Sequence, residues 1–100
     1  MESNLILHRQ LVDLFKETGP AHHQAYFKTN GADDEWPLWY ADFMQEKLNA
    51  FLKTKLTRSK IVQLLVDAAE EQEASGSKVD WTEYYAEFFL RNLRSAAKEQ

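Results

Sequence analysis

Cysteine is absent from this sequence of 100 residues, and glycine and proline are scarce, with three and two residues. The absence of cysteine excludes disulfide bonds, cysteine-ligated zinc, iron–sulfur clusters and catalysis by a thiol. The scarcity of turn-forming residues leaves too few turns for an all-β fold. The acidic start of the chain and the short apolar run after it predict no signal peptide. Together with the lack of cysteine, this favours a cytoplasmic protein.

Long apolar runs and an excess of positive charge are also missing. No apolar run approaches the roughly 20 residues that a membrane-spanning helix needs, so we predict no membrane association. The net charge is −4, whereas a general nucleic-acid binder needs a basic surface. Nucleic acid is therefore disfavoured as a partner.

The sequence does contain 44% hydrophobic and 13% aromatic residues, enough for one small folded domain spanning residues 1–100. Apolar residues recur at helical spacing along it. We predict an all-α bundle of five helices, four long and one short. The expected ranges are about 4–18, about 20–29, from 35 or 36 to about 54, from a cap at 57 to a turn at 75–77, and from a cap at 80 to about 97.

Short local patterns set these boundaries. Gly19 and Pro20 are predicted to end the first helix, because glycine suits the left-handed position after a helix and proline cannot continue it. Thr57 and Asp80 are predicted to cap the starts of the last two helices. The expected hydrophobic staples at these two starts are Leu56 with Ile61 and Val79 with Tyr84.

One pattern of eight residues occurs twice, 45 residues apart. The third and fifth helices open with W-x-x-aromatic-Tyr-Ala-acid-Phe, at 36–43 and 81–88. The likeness predicts two helix–loop–helix repeat units, residues 20–54 and 57–97, whose aromatic faces pack together. An alternative is that the two helices start alike without spatial symmetry. The acids of the two copies, Asp42 and Glu87, are expected to face solvent or pair with a basic neighbour.

The segment around the first copy carries three further features. They are the double histidine His22–His23, a T-x-G-x-D loop at 29–33 and the W-P-x-W-Y-A helix start at Trp36. With these features the chain resembles a family of short bacterial helical proteins, in which Asp34 is replaced by proline. The resemblance implies a helical fold and brings no activity, because no function is established for that family.

His22 and His23 are the first candidate ligand-binding residues. Adjacent helical residues point about 100° apart, so the two cannot chelate one metal from a regular helix. No metal-binding motif such as H-E-x-x-H is present. One of them could pair with an acid at 33–35, as a carboxylate-oriented imidazole or in a mixed nitrogen–oxygen metal site. The simpler interpretation, which we favour, is that one packs beside the aromatic residues near Trp36 and the other is exposed.

Lys47 is the second candidate. On a helical wheel it lies about 20° from Trp36. Its neighbours on that face are Tyr40, Phe43 and Phe51, among which a charge is costly unless it reaches water or a partner. The simpler and favoured interpretation is that its methylenes cover aromatic rings while its ammonium group reaches solvent. The alternative is that it forms the polar floor of an aromatic-lined pocket.

Four basic residues fall between positions 53 and 60. Lys53 and Lys55 suit the C-terminus of a helix, where positive charge is favourable. Arg58 and Lys60 lie at the start of the next helix, where they could hold a phosphate or sulfate together with free N–H groups. A solvated surface turn is the favoured interpretation, because exposed charges contribute little.

Two functions are compatible with these patterns. We favour a non-catalytic helical module that binds a protein partner or itself as a homodimer, because thirteen aromatic residues are many for a core of this size. The alternative is a small-molecule or anion-binding protein, or a minor enzyme, with an aromatic pocket. No catalytic residue, metal or cofactor is predicted. The ligand-binding candidates are His22, His23, Asp33, Trp36, Trp39, Tyr40, Lys47 and Tyr85, and the anion-binding candidates are Arg58 and Lys60.

Overall fold

The computed structural model describes residues 2–99, with side chains described at 5–50 and 52–93. Over these residues the chain is all-helical, which confirms the predicted fold class. The predicted number of five helices was wrong, because this part of the chain forms four α-helices and one short 3₁₀ helix. These are α1 (Glu2–Ala25), the 3₁₀ helix (Phe27–Thr29), α2 (Trp36–Leu52), α3 (Arg58–Ser75) and α4 (Trp81–Glu99). No helix in the described range is both long and apolar enough to cross a membrane.

The predicted break at Gly19 and Pro20 does not occur, because both residues lie inside α1. Pro20 is exposed, and a proline there withholds one N–H donor without ending the helix. Gly19 does not reverse the chain but allows close packing of α1 against Trp81. A Cβ atom at this position would lie 2.8 Å from Cζ2 of Trp81. The left-handed residue that closes this stretch is Asn30, with a φ of 58°. The predicted short helix at 20–29 is therefore the end of α1 followed by the 3₁₀ helix.

Each α-helix packs against two others, so that α1 and α3 both lie against α2 and α4. The C-terminal half of α1 lies beside the starts of α2 and α4. Gly19 faces Trp81, the first residue of α4, and the His22 ring is edge-on to Trp39 in the first turn of α2. The N-termini of α2 and α4 therefore lie at the same end of the bundle, next to the C-terminus of α1.

Phe15 lies at the centre of the core, where it is fully buried. Its ring is edge-on to the rings of Trp81, Tyr85 and Phe89, with centroids 5.4 to 5.8 Å away. These three residues are one helical turn apart along α4, so a single α1 side chain contacts three turns of its neighbour. The other large side chains with no exposed surface are Leu11, Met44, Leu48, Ile61, Leu65 and Phe89.

The predicted helix caps are present. Thr57 caps α3 as predicted, since its Oγ1 accepts a main-chain N–H of the first turn at 3.1 Å. Asp80 accepts the N–H and the hydroxyl of Thr82 at the start of α4. Val79, which was predicted to form a staple with Tyr84, keeps half of its surface exposed.

The connection between α2 and α3 is held by a side chain that no sequence pattern singled out. The Asn49 amide accepts the N–H of Leu56 at 2.9 Å and donates to its carbonyl at 3.0 Å, and it also accepts the Thr54 hydroxyl at 2.8 Å. One amide thus pairs with both main-chain groups of Leu56, as a neighbouring strand would. Lys53 ends α2 in the left-handed conformation without a glycine.

Candidate functional site

The aromatic end is our name for the end of the bundle where α2 and α4 begin. The rings that define it are those of Trp36, Trp39, Tyr40, Trp81, Tyr85, His22 and Tyr26. The two copies of the repeated pattern meet here through reciprocal contacts. The Trp36 ring centroid lies 6.5 Å from that of Tyr85, and the Tyr40 centroid lies 6.2 Å from that of Trp81. The tryptophan of each copy therefore contacts the tyrosine of the other.

The two tyrosines of these reciprocal contacts are uncharged donors. Burial raises the pKa of Tyr85 to about 12, with a further contribution from nearby Tyr40. Burial also raises the pKa of Tyr40. Both phenols therefore stay protonated at neutral pH and can donate an O–H group.

His22 is held in one orientation by Asp33. Its Nε2 lies 2.9 Å from Oδ2 of Asp33, and the two side chains expose only 7% and 10% of their surface. An ionised carboxylate can only accept, so Nε2 carries the proton and donates it. The hydrogen bond from His22 lowers the pKa of Asp33 despite its burial, and the main-chain N–H of Glu35, 3.0 Å from Oδ1, adds to the effect.

Replacing Asp33 by asparagine should destabilise the protein at neutral pH and much less in acid. The pKa of Asp33 is lowered by folding. Its stabilising contribution is therefore complete above the pKa of an unfolded aspartate, about 3.9, and is lost as the pH falls through the folded value. Urea unfolding of both proteins near neutral pH and near pH 3 measures this. Asp34→Asn, on the exposed neighbour, is the control, and an Asp33→Asn effect equal at both pH values would contradict the prediction.

The two histidines have different surroundings. The buried His22 packs against Tyr26, Trp39 and Tyr40, with centroids 4.8 to 5.4 Å away, whereas His23 is exposed. The structure thus combines both interpretations of the pair, since one histidine has a carboxylate partner and packs among aromatic rings while the other faces solvent. Among the described residues, no group of three or more His, Asp and Glu side chains is arranged to hold a metal ion.

Gly31 brings the loop before α2 against His23. Its φ of +84° belongs to the left-handed region that favours glycine. A Cβ atom there would lie 2.6 Å from Nδ1 of His23. Glycine at this position therefore permits both the turn and the close approach of the loop to α1.

A cavity of about 430 Å³ lies between α1, this loop and the starts of α2 and α4. Three of the predicted ligand-binding residues, His22, His23 and Tyr40, line it together. A fourth, Asp33, does not line the cavity, but it is hydrogen-bonded to His22, which does. The complete lining is Gly19, Pro20, His22, His23, Asn30, Gly31, Tyr40 and Trp81.

Lys47 lies apart from this cavity. Its Nζ is 2.5 Å from Oε1 of Glu17, and both side chains are more than half exposed. The same Nζ lies 5.7 Å from the centroid of the Phe43 ring, as expected for a lysine whose stem covers an aromatic side chain. Together with Gln10 and Asp13 it lines a separate groove between α1 and α2. The side chain of Phe51, placed on the same face by the sequence pattern, lies outside the described residues.

Arg58 has a carboxylate partner. Its Nε and Nη2 donate to the two oxygens of Asp42 at 2.5 and 3.2 Å. Of the two arrangements expected for Asp42, solvent exposure or pairing with a basic neighbour, the structure shows an exposed carboxylate that is paired. The guanidinium group lowers the pKa of Asp42, and the carboxylate raises the pKa of Arg58. Lys60 is exposed, and its main-chain N–H is already used in the cap of α3. Neither residue lines the cavity at the aromatic end.

Sequence reasoning did not place five of the eight residues that line the cavity in a site: Gly19, Pro20, Asn30, Gly31 and Trp81. Trp81 could have been found, since it is the repeat equivalent of Trp36. Comparison of the chain with protein-family models, with curated proteins and with solved structures finds no match. Over residues 2–99 the structure is a bundle of four α-helices, and its candidate site is the aromatic end.

Proposed function

We propose that this protein is a non-catalytic helical module that binds a partner protein at the aromatic end. The observation that carries the proposal is the concentration of incompletely buried apolar side chains there. Trp36, Trp39 and Trp81 are partly exposed. Phe27 and Val79, in the connections that lead into α2 and α4, are 63% and 50% exposed. Large apolar and aromatic side chains gathered on one surface are typical of a protein interface.

The charge around the aromatic end indicates the kind of partner. The segments 26–35 and 77–83 that frame it contain five carboxylates and two lysines. Asp34, Glu35 and Glu83 are exposed. Carboxylates beside aromatic faces attract arginine and lysine side chains, both at long range and through cation–π contacts. We therefore infer a partner that presents a basic segment.

The cavity at this end supports binding more than covalent chemistry. Its lining includes no serine, threonine or lysine that could act as a nucleophile. The Nε2 atom of His22 is committed to Asp33. In a nucleophilic triad, the imidazole paired with a carboxylate activates a serine, threonine or cysteine side chain within hydrogen-bond reach, and none of these lines the cavity. The pair is better explained as a fixed part of a recognition surface.

The proposal is tested with a short fluorescent peptide of alternating arginine and glycine, whose binding is followed by anisotropy at low salt. Replacing Phe27 and Val79 together by serine should weaken binding about tenfold, which is about 1.4 kcal/mol, because apolar contact at the interface is lost. Both side chains are exposed, so the fold is expected to remain intact.

The matched control is the double replacement Leu5→Ser with Ile6→Ser. These two side chains are also exposed, at the opposite end of α1, so peptide binding should be unchanged. Equal losses in the two double variants, or equal binding of an acidic peptide of the same length, would contradict the proposal. Light scattering tests whether the protein binds a second copy of itself at this surface. A dimer that disappears in the Phe27 and Val79 variant would make a second copy, not a basic segment, the partner.

A further inference from the structure

The cavity at the aromatic end has the chemistry to receive a positively charged group. We propose that it binds the guanidinium or ammonium head of an arginine or lysine side chain, inserted from the basic segment of the partner. A volume of about 430 Å³ is ample for such a group. This inference rests on the proposed function and names the part of the partner that enters the molecule.

The cavity wall includes hydrogen-bond acceptors, among them the phenol oxygen of Tyr40. Asn30 adds an amide oxygen. Guanidinium and ammonium groups only donate hydrogen bonds, so they match such a set.

Aromatic rings in the cavity wall also favour a cationic ligand. Tyr40 and Trp81 line the cavity, with centroids 6.2 Å apart and planes inclined by 56°. Aromatic rings attract cations, so a cation in the cavity would lie beside two such rings. The Asp33 carboxylate, behind His22, adds a negative charge in the second layer around the cavity.

An anion fits this cavity less well. Phosphate and carboxylate groups are usually held with the help of a fixed positive charge, and none of the residues that line the cavity is lysine or arginine. Neither Arg58 nor Lys47 lies there, since they pair with Asp42 and Glu17 elsewhere. The carboxylates that frame the aromatic end would repel an anion, whereas they attract a cation. The sign of the surrounding charge therefore selects between the two ligand classes.

The probes are N-acetyl-arginine methylamide and N-acetyl-lysine methylamide, with N-acetyl-citrulline methylamide as the neutral isostere of the first. Each is titrated into the protein while amide and indole N–H signals are followed by NMR. We expect saturable shifts at the Trp81 indole and at Gly31 with a cationic probe, and affinity at least tenfold lower for citrulline. Equal affinity for arginine and citrulline derivatives, or shifts that never saturate, would overturn the proposal.

Pro20 allows a variant that leaves the core packing in place. The side chain is exposed at the edge of the cavity, and replacing a proline within a helix does not harm helix formation. Pro20→Arg puts a positive charge at the cavity and should weaken binding of the cationic probe at least tenfold. Pro20→Gln, of similar length without the charge, should retain it. Equal binding by the two variants would count against the cavity as the cation site.

The same two variants separate this inference from the proposed function. If the arginine–glycine peptide binds in a manner sensitive to Phe27 and Val79, but Pro20→Arg binds it as tightly as Pro20→Gln, the surface binds the partner and the cavity takes no side chain. If the peptide fails to bind the unmodified protein, the proposed function fails as well. Circular dichroism of each variant establishes that the helices are retained.

Discussion

Replacing Phe15 by alanine should lower the free energy of unfolding by about 3–5 kcal/mol, the usual cost of removing a buried phenylalanine. The residue is fully buried, and its ring contacts three aromatic side chains on successive turns of α4. Edge-on aromatic contacts add to the loss of buried area. Because these contacts join α1 to α4, the cavity left behind lies between helices that cannot close on it without moving Trp81.

Phe27→Ala provides the matched control, because the same atoms are removed from a side chain that is 63% exposed. It should change stability by less than about 0.5 kcal/mol, as is usual at the surface. Urea unfolding followed by circular dichroism measures both variants. Similar losses for Phe15 and Phe27 would show that the junction of α1 and α4 does not hold the core together.

Burial of Phe15 could be predicted from the sequence because it depends on local periodicity. Leu11, Leu14 and Phe15 recur at helical spacing, and all three are buried. The cap at Thr57 is equally local, because a threonine needs only the N–H groups of its own first turn. The all-α class follows from the same kind of information. Each of these features is decided within a few residues of chain.

The break predicted at Gly19 shows where local information ends. Glycine followed by proline usually ends a helix, but here the decisive contact is with Trp81 on another helix. The tertiary structure, in which that indole packs directly onto the α1 backbone, outweighs the local preference. No pattern in residues 4–29 indicates it, because the other partner lies in the second copy of the repeat.

The candidate site, like the fold, could be predicted from the sequence only in part. The sequence singled out His22 and the acids at 33–35 by type and proximity, but the 2.9 Å contact between His22 and Asp33 depends on how the chain folds back after α1. Lys47 was placed among aromatic residues by its position on the helical wheel. A wheel shows which face a residue occupies but not which helix covers that face, and the partner proved to be Glu17 of α1.

Replacing Gly19 by alanine should lower the free energy of unfolding by about 1–3 kcal/mol, the usual cost of overpacking. In an ordinary helix interior the same change is stabilising by about 0.5–1 kcal/mol. The sign reverses because the new Cβ would lie 2.8 Å from Cζ2 and 3.2 Å from Cη2 of Trp81, both in the six-membered ring of the indole. Neither α1 nor the indole can yield without disturbing the contacts with Phe15 and Tyr85.

Trp81→Phe removes the outer part of that indole while keeping an aromatic ring, so it should relieve the clash. In the Trp81→Phe background, Gly19→Ala should become neutral or stabilising, and the double-mutant cycle should give a coupling energy of about 1–3 kcal/mol in favour of the double variant. Chemical unfolding of the four proteins measures the cycle. Additive effects would mean that Gly19 is not required by its contact with Trp81.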